Sequence, residues 1–168
     1  MKKILISGSW RFQDKKLEEL VRQTVQELFS NGDMLITGGA LGVDYWALDE
    51  ALKLDPKAEK IRVFLPSTLN FYKKHYNKRA LEGIISIAEA RALIAQLKKL
   101  KKLNKKALIE KAEVKTLNQN AYYARNSKEI ANADQLIAFQ VNQSQGTRDT
   151  IDKAKEKQIP VQVHQFTI

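Results

Sequence analysis

The sequence predicts an α/β protein with a Rossmann-like, doubly wound and mostly parallel sheet of about five strands. Three observations predict this class: short apolar runs alternate with helical segments, turn signals separate them, and three of the strand-to-helix turns contain glycine. Strands that are apolar throughout are typical of a parallel sheet that helices cover on both faces. Right-handed crossovers between such strands then give the doubly wound arrangement.

Three short apolar runs in the first half of the chain are predicted strands: 2–7, 34–37 and 61–65. Two helices are predicted between them. Asp14 can cap the first helix, which runs to about residue 29 with apolar side chains at three- and four-residue steps. The second helix is predicted from about residue 43 to residue 54, ahead of Pro56.

The second half of the chain continues the alternation. Residues 135–139 and 159–163 are predicted strands, and a helix over 146–157 connects them. Pro160 stands near the start of the last strand, where its missing N–H costs least.

Residues 71–118 depart from this alternation and are predicted as a helical insertion, between strands three and four, within a single domain spanning 1–168. Residues 71–115 alone carry a net charge of +9, whereas the whole chain carries +10. Leucines recur at three- and four-residue steps among the lysines, which predicts one long amphipathic helix over about 86–112 with a lysine-rich outer face. Such a leucine seam needs cover, either from the sheet or from a second copy in a homo-oligomer.

Composition excludes several classes of protein. There is no cysteine, and His75 and His164 are isolated, so neither a disulfide framework nor a metal site is predicted. The apolar start of the chain is too short for a signal peptide, and no run approaches the roughly 18 apolar residues of a membrane helix. We therefore expect a cytoplasmic protein that does not contact the membrane, and we predict no cofactor.

The turn after the first predicted strand is the first candidate binding loop. It contains Gly8, Ser9 and Arg11, at the strand end where open parallel sheets bind ligands. Gly8 allows close backbone approach, and Arg11 could pair with a phosphate through two hydrogen bonds. The alternative is a tight connection with an exposed arginine.

The turn after the second predicted strand is the richest in glycine. It contains Gly38, Gly39, Ala40, Gly42 and Asp44, and it opens a helix. Glycines let backbone N–H groups converge on an anion, and the start of a helix adds partial positive charge. Asp44 is the candidate for hydrogen bonding to a ribose or for acid–base catalysis. Alternatively, it is a favourable charge in the first helical turn.

Two further groups complete the candidate site. Gly146, Thr147 and Arg148 open the helix that follows the fourth predicted strand and offer a helix start, a hydroxyl group and a guanidinium group. Arg125 and Asn126 follow two tyrosines, and together they could contact a base, a sugar or a phosphate. The alternative for both groups is ordinary helix capping and core packing.

Four sequence blocks occur in order along the chain: GSWRFQD, LITGGALGVDYWA, YYARNSKEIANADQLIAF and GTRDTIDKAKEKQIPVQV. This order resembles the SLOG superfamily, most closely its YspA/YpsA-related branch, formerly a domain of unknown function. More distantly it resembles the LOG and DprA Rossmann-like domains. The resemblance covers residues 1–66 and 120–163. It implies a Rossmann-like sheet that binds nucleotides or nucleotide-derived ligands between the loops named above.

One departure from the family pattern bears on catalysis. LOG phosphoribohydrolases carry a PGGxGTxxE motif, whereas here Thr150 stands three positions after Thr147, where the glutamate is expected. The neighbouring carboxylate of Asp149 is one residue early, about 100° round the helix. The DprA branch shares a similar SGGA-GxD turn.

The favoured hypothesis is therefore a protein that binds a nucleotide or a nucleotide-derived, phosphate-bearing ligand, as a sensor or a processing domain. A second hypothesis is a hydrolase that cleaves an N-glycosidic or phosphoester bond of such ligands with Asp44 as the general acid or base. A third is a nucleic-acid-binding protein that uses the basic helix. It is less favoured because few aromatic residues stand among the lysines.

Overall fold

The computed structural model describes all 168 residues, and it confirms the α/β, Rossmann-like class. Six strands and six helices follow one another along the chain: β1 (Lys3–Gly8), α1 (Lys15–Ser30), β2 (Met34–Gly38), α2 (Val43–Leu54), β3 (Ile61–Phe64), α3 (Leu69–Leu81), α4 (Ile87–Leu103), β4 (Leu108–Ile109), α5 (Gln119–Asn132), β5 (Gln135–Val141), α6 (Gln145–Lys157) and β6 (Val161–Phe166). None of the helices is both long enough and apolar enough to cross a membrane.

The strands form one sheet in the order β4-β3-β2-β1-β5-β6, and every neighbouring pair is parallel. From β1 the chain builds outward through β2, β3 and β4, and then it crosses to the other side of β1 to form β5 and β6. The direction of winding therefore reverses between β1 and β5. In open sheets of this kind, ligands bind beyond the carboxyl ends of the strands at that reversal.

Helices cover both faces of the sheet, which explains why the strands are apolar throughout. Along β1, Ile4 and Ile6 pack into a core formed with α1, α2, α3 and α4. Leu5 lies between them and faces the other side, where it packs with Ile130 of α5 and Ile151 of α6. Alternate side chains of a strand point to opposite faces, so a strand covered on both faces has no polar side.

Local signals at the predicted helix ends hold in the structure. The Asp14 side chain accepts a hydrogen bond from the Leu17 N–H at 2.8 Å and caps α1. Helix α2 spans Val43–Leu54, as the sequence predicted. The last strand begins at Val161, two residues later than predicted, and so leaves Pro160 outside it.

Residues 71–118 differ from the wholly helical insertion that the sequence predicted. They contain most of α3, all of α4 and the short strand β4, which makes six strands rather than five. Helix α4 begins close to the predicted start, where Ser86 and Glu89 form a capping box. It is shorter than the predicted 86–112 because it ends at Asn104. Strand β4 has only two residues, Leu108–Ile109, too few to form a recognisable apolar run.

The leucine seam of α4 packs against the sheet of its own chain. Leu93, Leu97 and Leu100 are fully buried in the core, while the neighbouring lysines Lys98 and Lys99 are exposed. Of the two kinds of cover that the seam could have had, the sheet supplies it. The seam therefore gives no reason to expect a second subunit on this helix.

Candidate functional site

A cleft of about 560 Å³ opens at the carboxyl ends of β1 and β5, where the winding reverses. The loops after these two strands form two of its walls. One face of α5, the first turn of α6, the carboxyl-terminal half of α3, and Ala40 and Asp44 at the β2–α2 turn form the rest. The cleft thus lies where this fold places ligands.

Most of the residues singled out in the sequence come together around this cleft. The predicted site residues that line it are Gly8, Ser9, Arg11, Ala40, Asp44, Arg125, Asn126, Gly146 and Thr147. Gly38, Gly39, Gly42 and Arg148 do not line it. Arg148 instead pairs with Asp152 on the exposed side of α6, at 3.3 Å.

The glycine turn between β2 and α2 is closed by contacts within the chain, contrary to its interpretation as an open anion cradle. The Ala40 N–H donates to Asp44 Oδ2 at 3.3 Å, and the Val43 N–H donates to the Ser9 carbonyl at 3.4 Å. Gly42 has a φ of +71°, and a Cβ there would lie 2.6 Å from the same Ser9 oxygen. Close packing onto the loop after β1 therefore requires Gly42.

The other two glycines of the turn also make room for protein groups. A Cβ on Gly38 would overlap the Arg125 guanidinium and the Asp44 carboxyl, and a Cβ on Gly39 would overlap the Leu65 side chain. The Gly39 carbonyl accepts a hydrogen bond from the Tyr72 hydroxyl at 2.8 Å. These glycines are explained by packing of the turn against α3, α5 and the core.

Ser9 likewise contacts protein groups, and it connects the end of β1 to β5. Its hydroxyl oxygen accepts a hydrogen bond from the Val141 N–H at 3.0 Å, and its own N–H donates to the Phe139 carbonyl at 3.2 Å. Ser9 is buried, and its two bonds hold the end of β1 against the end of β5. It therefore shapes the base of the cleft.

The floor of the cleft is a buried group of three ionisable side chains: Asp44, Arg125 and Glu129. The Arg125 side chain is 10% exposed and that of Glu129 is 2% exposed, with 3.5 Å between Arg125 Nε and Glu129 Oε1. Arg125 Nη1 and Glu129 Oε1 have no hydrogen-bond partner.

Burial and neighbouring charges set the ionisation of this floor group. Burial raises the pKa of Glu129 to about 8, which Arg125 opposes and Asp44 reinforces. Burial also raises the pKa of Asp44, and here Arg125 is the main opposing influence. Burial by itself would lower the pKa of Arg125, but the nearby carboxyl groups of Glu129 and Asp44 raise that pKa above its ordinary value. Burial therefore favours the neutral form of Glu129, although Arg125 lies at an ion-pair distance of 3.5 Å.

Glu129 was not among the predicted site residues. It lies four positions after Arg125, and residues four apart share one face of a helix. That spacing is the sequence signal that could have found it. The signal is weak because most such pairs lie on exposed helix surfaces.

Asn126 ties α5 to the start of α6. Its side-chain N–H group donates to Asp149 Oδ2 at 3.0 Å, and its oxygen accepts from Arg125 Nε at 3.2 Å. Asp149 also accepts from Lys153 Nζ at 2.6 Å. The carboxylate nearest the position of the LOG glutamate is therefore already engaged within the chain.

The start of α6 is open toward the cleft. No side chain caps its first N–H groups, since the Ser144 hydroxyl bonds instead to the Thr147 hydroxyl at 2.8 Å. A Cβ on Gly146 would meet no atom within 4 Å. The partial positive charge of this helix start therefore faces space in which an anion can bind.

Two arginines and a tryptophan form the rim. The Arg11 guanidinium lies 4.9 Å from the centre of the Trp10 ring, and that of Arg79 lies 5.6 Å from it. Arg79 donates from Nε to His75 Nε2 at 3.1 Å. Neither arginine is among the ion pairs of the chain. The sequence missed Arg79 because it lies in α3, outside every recognised motif.

The fold described above defines a Rossmann-like domain of the SLOG type, as the motifs predicted. The family model of DNA recombination-mediator protein A matches residues 2–167, and the chain belongs to that family. This is the DNA-processing branch, which the motifs had placed further away than the YspA/YpsA-related branch. No curated protein matches the chain by sequence.

Solved structures agree with the fold. DNA processing protein A from Helicobacter pylori, described for its single-stranded DNA binding mode, has a TM-score of 0.68 and 22% identity over 96% of this chain. The molybdenum cofactor binding protein of Rippkaea orientalis has a TM-score of 0.59 and 20% identity, with 98% of this chain and 77% of that protein covered. This chain spans 64% of the Helicobacter protein, and identities this low carry only the fold.

Proposed function

We propose that the protein binds a nucleotide or a nucleotide-derived, phosphate-bearing ligand in the cleft between β1 and β5. One observation carries the proposal: Arg11, Arg79 and the uncapped start of α6 at Gly146 surround a single cleft of about 560 Å³. Cavities of about 300–1,000 Å³ are the usual size for small-molecule ligands. Arginines without a carboxylate partner and a helix start are the groups that proteins use for phosphate.

The phosphate position differs from the one suggested by the sequence. Two N–H groups of the glycine turn, those of Ala40 and Val43, have partners within the chain. The start of α6 has no side-chain cap and lines the same cleft as the arginines of the rim. We therefore assign the phosphate to the rim and the α6 start.

Catalysis is not part of the proposal. Asp44 accepts a hydrogen bond from Ala40 and lies against Arg125, while Asp149 is held by Asn126 and Lys153. A general base needs a free carboxylate within reach of the proton that it removes. Neither carboxylate is free in this arrangement, so the geometry supports binding better than hydrolysis.

Isothermal titration calorimetry with AMP, GMP, CMP and UMP tests the proposal. We expect Arg11→Ala and Arg79→Ala each to weaken binding of the preferred mononucleotide at least about tenfold, because each removes a charged hydrogen-bond donor. Arg91→Ala is the matched control, since Arg91 is exposed on α4 outside the cleft. Failure of all four mononucleotides to bind the wild type, or an equal loss in Arg91→Ala, would contradict the proposal.

A second candidate is binding of single-stranded nucleic acid across the same rim. The observation that favours it is Trp10, an aromatic side chain at the rim with the Arg11 and Arg79 guanidinium groups beside it. Proteins that bind single strands combine aromatic side chains, on which bases stack, with cationic groups that hold the backbone. The family membership and the Helicobacter protein, which is described as binding single-stranded DNA, support this candidate.

A further inference from the structure

We propose that Glu129 is the specificity-determining residue of the cleft and that it selects an uncharged hydrogen-bonding group at the floor, while phosphate stays at the rim. A nucleobase edge and a pair of sugar hydroxyls share this chemistry. The inference rests on the proposed binding of a nucleotide-like ligand. It adds the orientation of that ligand and names Glu129 as the residue that contacts the part of the ligand at the floor.

The floor of the cleft contains buried polar atoms that lack hydrogen-bond partners. Buried polar atoms nearly always have a hydrogen-bond partner, so each exception needs a reason. Three buried side-chain atoms in this chain lack one, and two of them are Arg125 Nη1 and Glu129 Oε1, on residues that line the cleft. A ligand that reaches the floor would supply the missing partners.

The floor of the cleft differs from the rim in its charge. Asp44 and Glu129 both face the Arg125 guanidinium, which balances one carboxylate. Burial raises the pKa of Glu129 to about 8 and so favours the neutral form of the second carboxyl. The floor therefore has no net positive charge to attract a phosphate, whereas the rim arginines, Arg11 and Arg79, are not balanced by any carboxylate.

The floor also presents a particular pattern of hydrogen-bond donors and acceptors. A protonated carboxyl offers one donor and retains acceptor capacity, and the free guanidinium nitrogen offers a donor. The complementary ligand group must therefore both donate and accept. Base edges and sugar hydroxyls do so, whereas a phosphate dianion only accepts.

The unpartnered Glu129 carboxyl lowers the stability of the free protein. A buried polar group without a partner lowers stability, and an apolar side chain of similar size would remove that penalty. No hydrogen bond joins Glu129 to Arg125. A destabilising carboxyl at the floor of a cleft is what a binding role would require.

The test compares Glu129→Met, which keeps the volume without hydrogen bonding, with Glu129→Gln, which keeps a neutral donor and acceptor. Calorimetry at pH 7 uses the four mononucleotides, ribose 5-phosphate and inorganic phosphate. We expect Glu129→Met to weaken the preferred mononucleotide at least about tenfold and Glu129→Gln to stay within about threefold of the wild type. Inorganic phosphate should bind both variants as it binds the wild type, and Glu129→Met should melt no lower than the wild type.

The two sources of the uncharged group give different results. Loss of ribose 5-phosphate binding in Glu129→Met would assign the sugar hydroxyls to the floor, whereas loss confined to the mononucleotides would assign the base edge. An unchanged mononucleotide affinity, an equal loss for inorganic phosphate, or a Glu129→Met variant that melts lower or does not fold would overturn the inference and leave the proposed function standing. Absence of any mononucleotide binding to the wild type would overturn both.

Discussion

Gly42 shows how one residue couples two loops of the site. Its φ of +71° lies in the left-handed region, and its missing side chain lets the Ser9 carbonyl approach the start of α2. A motif of three glycines is typical of anion cradles, but here the same lack of side chains serves contacts between protein groups. At the scale of single residues, a glycine indicates that another group lies close to the backbone, but it does not show whether that group is a ligand or part of the protein.

We therefore expect Gly42→Ala to lower the free energy of unfolding by about 1–3 kcal/mol, since it adds both backbone strain and an overlap with Ser9. Gly146→Ala is the matched control. It places a methyl group in open space at the start of α6, and it should leave stability unchanged or raise it by about 0.5–1 kcal/mol. Urea denaturation measures both, and a Gly42→Ala variant as stable as Gly146→Ala would contradict this account of the turn.

Helix α4 shows what periodicity does and does not say about an element. The leucine spacing predicted an amphipathic helix, and α4 is one, with its apolar side buried. The same spacing suits a seam between two subunits or a contact with a sheet, because both bury one stripe of a helix. The choice between them came from the tertiary structure, which places α4 next to β4 and buries its leucines in the core of the same chain.

This assignment predicts an asymmetry between two leucines of α4. Leu97 is fully buried, so Leu97→Ala should lower the free energy of unfolding by about 2–5 kcal/mol. Leu103 is 44% exposed, and Leu103→Ala should change it by less than about 0.5 kcal/mol. The unfolding midpoint should not depend on protein concentration. A midpoint that rises with concentration would indicate that the seam joins two copies instead.

On the scale of the whole molecule, the two features that suggested a charged partner lie at opposite ends of the sheet. The cleft opens at the carboxyl ends of the strands. The Asn104 side chain at the end of α4 donates to the Ala58 carbonyl at 2.9 Å, and Ala58 precedes β3. Lys102, Lys105 and Lys106 therefore lie near the amino ends of the strands.

This separation makes the nucleic-acid candidate testable. If single-stranded DNA binds across the rim, Trp10→Ala and Arg79→Ala should each weaken binding of a labelled oligonucleotide at least about tenfold. A Lys102→Gln, Lys105→Gln, Lys106→Gln triple variant should weaken it much less and leave the dependence of affinity on salt nearly unchanged. Fluorescence anisotropy over a series of salt concentrations measures this, and the reverse result would assign nucleic-acid binding to the basic helix.

By itself, the sequence determined the class of fold, most element boundaries and the loops that surround the cleft. Apolar periodicity, the Asp14 cap and the glycine turns act over a few residues, so they can be recognised without the rest of the chain. The order of the motifs was enough to identify the superfamily, which the family match confirmed.

Only the tertiary structure decided which of these groups remain free to bind. The N–H of Val43 is engaged because a loop more than thirty residues earlier packs against it. Strand β4 forms because its two residues pair with the edge of β3. The floor of the cleft combines Asp44 from α2 with Arg125 and Glu129 from α5, and their ionisation depends on shared burial. Such properties come from contacts between distant segments, and local patterns do not contain them.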